Sequence, residues 1–494
     1  MPDYMKLQNG SDIRGVAIAT EGGKPVNLTR EVAQAVGGAF AKWLREKCGE
    51  RALRVAVGRD SRLSGEQLSR WITEGLCAAG MDVTDFGLCT TPAMFMCTVM
   101  EGYCFDGAVM ITASHLPFER NGFKFFTSGG GLEKKDISAI LSAAGEGSFE
   151  TGLSGKVDSC EFIPAYAAML TEKIRAASGE ERPLDGLRII VDAGNGAGGF
   201  FADKVLLPLG ADITGSQYLE PDGHFPNHAP NPENAAAMEA IREAVLANNA
   251  DLGIIFDTDV DRAGAVLKDG SELNRNRLIA ILAAILLREH PGTTIVTDSI
   301  TSTGLAELIA EKGGIHHRFK RGYRNVINEA VRLTAAGQDA QMAIETSGHG
   351  ALQENYYLDD GAYLMVKLLI ELARARKEGR SLESLIQTLR EPVESAEFRM
   401  PILAEDFAAC GNDVIEALRE YAKAQPGWKL VEPNYEGVRV DLEEGWFLLR
   451  LSLHDPIMPL NIESDVEGGV QKIAAELLAF LQDFTQLDCG CFTA

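Results

Sequence analysis

Three aspartates at alternate positions, Asp257, Asp259 and Asp261, follow the apolar run LGIIF (252–256) and are followed at once by Arg262. Carboxylates this close repel one another unless a cation joins them, and a hard dication with oxygen ligands is their natural partner; magnesium fits best. An EF-hand is excluded, because Arg262 stands where that loop needs Gly and Lys268 where it needs Glu. The alternative is a solvated acidic turn, which the preceding strand argues against by fixing where the carboxylates point.

A second stretch, TASHLPFERNGFK (112–124), places Ser114 at the exposed end of another apolar run. A serine there can act as a nucleophile, or it can cap a turn beside an ordinary His115. Acyl transfer fails on its own terms, since no G-x-S-x-G elbow surrounds Ser114. The segment IETSGH (344–349) offers Glu345, Ser347 and His349 on one turn; such groups suit sugar hydroxyls, which both donate and accept, although a plain polar turn has the same composition. Gly194–Gly199 satisfies G-x-G-x-x-G with Glu220 at the distance of a ribose-binding acid, so a nucleotide competes with a tight, closely packed turn as the reason for the glycines. His224 and His228 have helical spacing, but the Gly and Pro around them forbid a helix, which dismisses zinc there.

These loops need elements to position them, and one pattern recurs. A short apolar, β-branched run ends in Asp or Thr and opens into a Gly/Ser loop before a helical segment: RVAVGRD (54–60), GAVMITAS (107–114), RIIVDAG (188–194), LGIIFDTD (252–259) and TIVTD (294–298). Continuous apolar strands alternating with helices indicate buried parallel sheet, which presents ligands at the carboxyl ends of its strands. Boundaries are expected at the Gly/Ser-rich 144–159, near 268–274 and near 377–395 after a helix from about Asp360, giving α/β domains at 1–155, 156–270 and 271–392. Beyond them, in 393–494, VRVDL and WFLLR flank a Glu-Glu-Gly turn as a hairpin, with an amphipathic helix from about Val470, so this part is expected to be smaller and α+β.

At 494 residues the chain exceeds the roughly 250–300 that one core organises, so several domains are expected. A formal charge of −24 excludes broad contact with nucleic acid or anionic membrane. The longest apolar run, Leu278–Leu287, is far short of the roughly 20 residues that cross a bilayer, and MPDYMKLQNG is no secretory signal, so a cytoplasmic protein is expected. Nine irregularly spaced cysteines read as free thiols.

Taken together and in order, these stretches resemble the α-D-phosphohexomutase superfamily, the phosphoglucomutases and phosphomannomutases, over nearly the whole chain. SDIRG (11–15) is similar to its amino-terminal signature, VGRDSRLSG (57–65) to its next loop, TASHLP to its phosphoserine loop, DTDVDR to its metal loop and ETSGH to its sugar-selecting loop. The resemblance implies three related α/β domains with mixed, largely parallel sheets and a smaller fourth domain around a central cleft. It implies that Ser114 carries a phosphoryl group and joins Asp257, Asp259 and Asp261 around Mg2+, and that Arg14, His115, Lys124 and Arg262 surround the reacting oxygen. A hexose 1-phosphate and its 6-phosphate would interconvert through a hexose 1,6-bisphosphate, with Lys124 as general acid/base and Glu345 and Ser347 on the sugar. The implied partner is a phosphorylated hexose, the protein being a monomer or homodimer.

Distal phosphate is expected at Arg450, Ser452 and His454, with Lys320 and Arg324 from FKRGYR (319–324). There the pattern departs: RLSLHDP (450–456) replaces the family's R-x-S-G/N-T, and Leu116 stands where Asn is usual. Thr346 stands where glucosamine members carry Gln, which favours glucose or mannose. Two further readings stay open, a sugar-phosphate-binding regulator with little turnover and a nucleotide-dependent oxidoreductase built on Gly194–Gly199.

Overall fold

The computed structural model describes residues 3–49, 51–452 and 455–492. Two compact units organise them: the first takes the chain through Asn274 and again Ser347–Ser381, the second Arg275–Thr346 and the chain from Leu382 onward.

The first unit holds two sheets. In one, the parallel strands Gly107–Ile111, Arg54–Arg59 and Asp82–Leu88 lie side by side; Arg120–Thr127 pairs antiparallel with Gly107–Ile111, and Asp12–Val16 antiparallel with Arg120–Thr127. The helices Arg30–Cys48, Gly65–Ala78 and Lys134–Glu146 bury their apolar stripes on this sheet, around Val36, Phe40, Ile72, Val55, Phe125 and Ile140. Glycine inside a helix costs about 1 kcal/mol relative to alanine. Gly75 earns its place by contact: a Cβ there would lie 2.2 Å from the Gln34 carbonyl oxygen, and one on Gly37 2.6 Å from the Ile72 oxygen, so the two helices touch backbone to backbone.

In the second sheet, Ile189–Asp192 runs parallel to Leu252–Phe256, which turns back antiparallel into Ala263–Leu267. Phe256 pairs with Ala263, so the aspartate loop is the closed end of a hairpin and its ends are fixed by the ladder. The expected helix after Asp360 is Gly361–Lys377, which packs along Ile163–Ser178. Asp360 caps it through the Tyr363 amide at 2.9 Å and accepts from the Tyr166 hydroxyl at 2.7 Å.

The second unit has a parallel core of Ile315–Arg318, Thr294–Thr297 and Met342–Ile344. The Leu278–Leu287 run lies within the helix Arg275–Glu289, and every residue of the run is buried. An antiparallel sheet follows, in the order Glu394–Pro401, Ile457–Ser464, Gly445–Leu449, Val438–Leu442 and Lys429–Leu430. It is covered by Phe407–Ala424 and Gly469–Leu481 around Val440, Phe447, Leu460 and Leu477. The hairpin at the Glu-Glu-Gly turn is there, with Leu442 opposite Gly445. Its Arg439 is buried, stacks 3.7 Å from the Trp446 ring and donates to the carbonyls of Ser299 and Thr301, joining this sheet to the parallel one.

Gly75→Ala should lower stability by about 1–3 kcal/mol in urea unfolding, because overpacking outweighs the gain in helix propensity; an unchanged or raised midpoint would contradict the helix contact.

Candidate active site

Ser114 sits just past the strand Gly107–Ile111 with φ 50, a left-handed conformation that costs a non-glycine residue about 1–3 kcal/mol unless its surroundings enforce it. Two groups do so. The Thr112 hydroxyl accepts from the Ser114 amide at 2.9 Å. The Arg62 guanidinium, wholly buried, donates to the carbonyls of Pro117 and Arg120 at 2.9 and 3.0 Å and also to those of Ser114 and Leu116. Asp60 lies 3.4 Å from Arg62; burial pushes its carboxyl up to about 6 although Arg62 opposes this. A buried arginine is tolerated only when its charge is compensated at close range, and here the four carbonyls that compensate it shape the serine loop.

Opposite Ser114 stands the aspartate loop. Asp257, Asp259 and Asp261 are all buried, and one oxygen of each lies within 4.8 Å of the others. The Ser114 hydroxyl donates to Asp257 Oδ2 at 3.1 Å. Lys124, from the strand Arg120–Thr127, donates to Asp259 at 3.2 Å and to Asp261, and the Thr91 hydroxyl to Asp259. Burial, then Asp261 and Asp259, push the Asp257 carboxyl well above its ordinary value. At Asp261 burial is opposed by Lys124 and Arg262, and the net direction is downward. Asp259 Oδ1 and Asp261 Oδ1 are buried without a hydrogen-bond partner among the described residues. Orphaned hard oxygens and a carboxylate forced toward its neutral form mark a site short of positive charge, and the donor set fits a divalent cation.

Arg262 ends the loop and spreads its donors widely. Its Nε donates to His349 Nε2 at 2.8 Å, Nη2 to His115 Nδ1 at 3.1 Å and Nη1 to Glu233 at 3.4 Å. His115 also lies 3.3 Å from the Ser114 hydroxyl; burial, then Arg262 and Arg14, lower its pKa to about 3, so it is neutral. At His349 burial acts downward, but Asp359, aided by Asp261, outweighs it and the net direction is upward. Guanidinium has only donors, so the geometry at Nε2 requires a lone pair there, and the neutral ring is the form this structure holds. Arg14 pairs with Asp12 at 2.8 Å. Thus Ser114, His115, Lys124, Arg262, the three aspartates and His349 converge in the first unit, while Ser347 belongs to the same unit and is buried.

Glu345, Lys320, Arg324, Arg450 and Ser452 belong to the second unit. Glu345 accepts from the Gly322 amide at 2.6 Å. Lys320 is exposed, and Arg324 lies over its neighbour Tyr323. Arg321, which nothing in FKRGYR singles out, lies 3.9 Å from Asp298 and from Glu397, and its amide donates to Glu436 at 3.1 Å. Asp298, pushed up to about 7 by burial and Glu345, accepts from the Thr346 hydroxyl at 2.7 Å. Arg450 is buried, its Nε has no hydrogen-bond partner among the described residues, and burial and Arg321 lower its pKa. Ser452 Oγ accepts from the Asp455 amide at 3.3 Å; His454 lies outside the described residues.

The glycines of Gly194–Gly199 are consumed by packing. A Cβ on Gly196 would lie 2.7 Å from the Thr258 oxygen, and one on Gly199 2.2 Å from the Leu219 oxygen. The amides of Gly194, Asn195, Gly196 and Ala197 donate to Asp192, Tyr218, Ala193 and Thr258. These four donors are already engaged within the protein, and the turn braces the aspartate loop through Thr258. His228 supports the same turn, its Nε2 3.1 Å from both Asp192 oxygens. All nine cysteines are free, and among the described residues no helix is long and apolar enough to cross a membrane.

Comparison with known proteins places the chain in a family. Family profiles for phosphoglucomutase/phosphomannomutase α/β/α domains I, II and III match residues 5–151, 164–270 and 274–393. The phosphoglucomutase of Neisseria gonorrhoeae is 31% identical over 474 residues, covering 95% of each chain. The phosphomannomutase/phosphoglucomutase of Pseudomonas aeruginosa is 32% identical over 464 residues, covering 94% of this chain and 92% of its own. A solved phosphoglucomutase/phosphomannomutase family protein from Burkholderia thailandensis superposes with a TM-score of 0.82 at 30% identity, covering 98% of each chain. The chain belongs to the phosphoglucomutase/phosphomannomutase family of the α-D-phosphohexomutase superfamily. Its fold is accordingly three α/β/α domains followed by the α+β region seen from Glu394.

His228 carries a pH-dependent share of stability. Burial acts downward, but Asp192 outweighs it and raises the imidazole above its ordinary 6.5. The contribution is therefore full below about pH 6.5 and is lost as pH climbs through the raised folded value. The stability difference between wild type and His228→Gln should shrink between about pH 6 and pH 9 in urea unfolding; a constant difference would contradict the ion pair.

Proposed function

We infer that the protein is a phosphohexomutase that interconverts hexose 1-phosphate and hexose 6-phosphate through a phosphoserine and a hexose bisphosphate. One observation carries this reading: the Ser114 hydroxyl, held by a strained loop, donates to Asp257 in a buried carboxylate cluster that fits a dication. Phosphoryl transfer needs positioning and charge neutralisation more than covalent chemistry, and this is the equipment for it.

In the proposed cycle the free hydroxyl of a hexose phosphate takes the phosphoryl group from phospho-Ser114: the new P–O bond forms to the sugar and the bond to Ser114 Oγ breaks. Lys124 is the proposed acid/base, relaying the proton that the attacking sugar hydroxyl gives up to the departing Oγ, and relaying the serine proton back to the departing sugar oxygen when the second phosphate returns to Ser114. Asp257, Asp259 and Asp261, with a phosphoserine oxygen, are the proposed ligands of magnesium, which when bound supplies charge neutralisation at the transferring group. Arg262 and Arg14 supply fixed positive charge, and neutral His115 accepts from Arg262 and so orients it.

Glu345 and Ser347 are proposed to serve the sugar, with His349 of the same turn engaged through both ring nitrogens by Asp359 and Arg262, and Arg450, Ser452, Arg321, Lys320 and Arg324 the distal phosphate. Relatives named phosphoglucomutase and phosphomannomutase/phosphoglucomutase support glucose and mannose as the sugars, and we propose hexose 1,6-bisphosphate as the activator. We assign these roles to four domains at 1–155, 156–270, 271–392 and 393–494.

A coupled assay of glucose and mannose 1-phosphates, with magnesium and a trace of bisphosphate, should show turnover that a chelator abolishes. Ser114→Ala should reduce it about a thousandfold or more, and intact mass should show a phosphoryl group on wild type that this variant lacks. Near-normal activity in Ser114→Ala would overturn the cycle.

A further inference from the structure

Asp359 is a buried carboxylate beside the site that the proposed cycle does not use. It ends the short strand Leu358–Asp359, which pairs with Gly350–Leu352 so that Asp359 lies opposite Ala351. Both of its oxygens are committed: Oδ1 accepts from the Gly350 amide at 3.0 Å, and Oδ2 lies 2.5 Å from His349 Nδ1. The backbone amide fixes the carboxylate plane, and the carboxylate in turn fixes the imidazole. Its neighbour Asp360 is engaged elsewhere, in capping the following helix and holding Tyr166, so the two adjacent acids do different work.

The hydrogen-bond directions along this chain are forced. Arg262 Nε can only donate, and it points at His349 Nε2 from 2.8 Å, so that nitrogen must offer a lone pair. The ring proton is therefore on Nδ1, where a carboxylate is the partner that holds it. Through this arrangement Arg262 is held from one side while its Nη2 reaches His115 beside Ser114 and its main-chain amide donates to Asp257 at 3.2 Å. Arg262 and His349 also meet as a backbone bridge, and Gly361 lies against the Arg262 carbonyl, where a Cβ would come within 2.6 Å of its oxygen.

We propose that Asp359 is a positioning residue for phosphoryl transfer, fixing the Nδ1–H tautomer of His349 so that Nε2 accepts from Arg262 and aims its guanidinium at the Ser114 site. The inference rests on the phosphohexomutase reading. Asparagine at 359 has one acceptor where two are needed, so either the Gly350 amide or the imidazole loses its partner; when the ring proton shifts from Nδ1 to Nε2, two N–H groups confront each other there and Arg262 is released.

The test combines spectroscopy with a double-mutant cycle. Nitrogen NMR of histidine-labelled wild-type protein should show His349 protonated on Nδ1 and bare on Nε2. Asp359→Asn should lower kcat about 10- to 100-fold with KM held within about twofold. His349→Gln supplies an amide oxygen at the Nε2 position that accepts from Arg262 without help from residue 359, so in that background Asp359→Asn should change kcat little. Retained kcat in Asp359→Asn, an equal loss in both backgrounds, a loss confined to KM, or a wild-type ring protonated on Nε2 would each overturn the proposal. If Asp359→Asn does not fold, the wild-type tautomer alone decides. Failure of the enzyme reading itself is distinguishable, since it would appear as wild-type protein without turnover or as Ser114→Ala with it.

Discussion

Three carboxylates held on one six-residue hairpin end, all within about 1% of complete burial, impose the condition that the rest of the first unit satisfies. Burying charge is costly unless partners are supplied at close range. The described partners are Lys124 on Asp259 and Asp261, the Ser114 hydroxyl and Arg262 amide on Asp257, and the Thr91 hydroxyl on Asp259. They leave two oxygens unmatched and Asp257 pushed toward protonation. A polypeptide that retains this deficit keeps room for a cation it does not itself provide.

The same condition explains where backbone strain is stored. Val260, between Asp259 and Asp261, has φ 66, unfavourable for a β-branched residue, and Ser114 has φ 50. Neither would persist on an unsupported loop. Val260 is fully buried and its carbonyl accepts from the Gly361 amide at 3.0 Å, whereas Ser114 is enforced by Thr112 and the Arg62 clasp. Strain, buried charge and supporting hydrogen bonds coincide in one place, as expected of a site rather than of a scaffold.

Much of this was legible in the chain. The apolar runs that end in Asp or Thr are the strands whose ends carry Ser114 and Asp257, because a continuous β-branched run bounded by Gly and Ser reads as buried strand without tertiary information. The hairpin at Glu443–Gly445 and the helix near Val470 were readable for the same local reasons. What escaped was non-local. Arg62 acts on carbonyls more than fifty residues away, as in its bond to Ser114, and nothing in GRDSRLSG names them. Arg321 differs from Lys320 and Arg324 only in which way one turn faces. Asp359 gains meaning only when its strand is set against Gly350. The glycine-rich turn at 194–199 misleads in the opposite sense, since the spacing that admits a nucleotide also admits close backbone packing.

The central claim is that the aspartate hairpin beside Ser114 is one cation short. Calorimetric titration of metal-free protein with magnesium tests it most directly. The structure predicts one ion per chain in wild type, and loss of that site when Asp257, Asp259 and Asp261 are replaced together by asparagine with the fold retained. Undiminished stoichiometric binding in the triple variant, or none in wild type at millimolar magnesium (about 1 mM, the weak end of hard-ion sites), would contradict it.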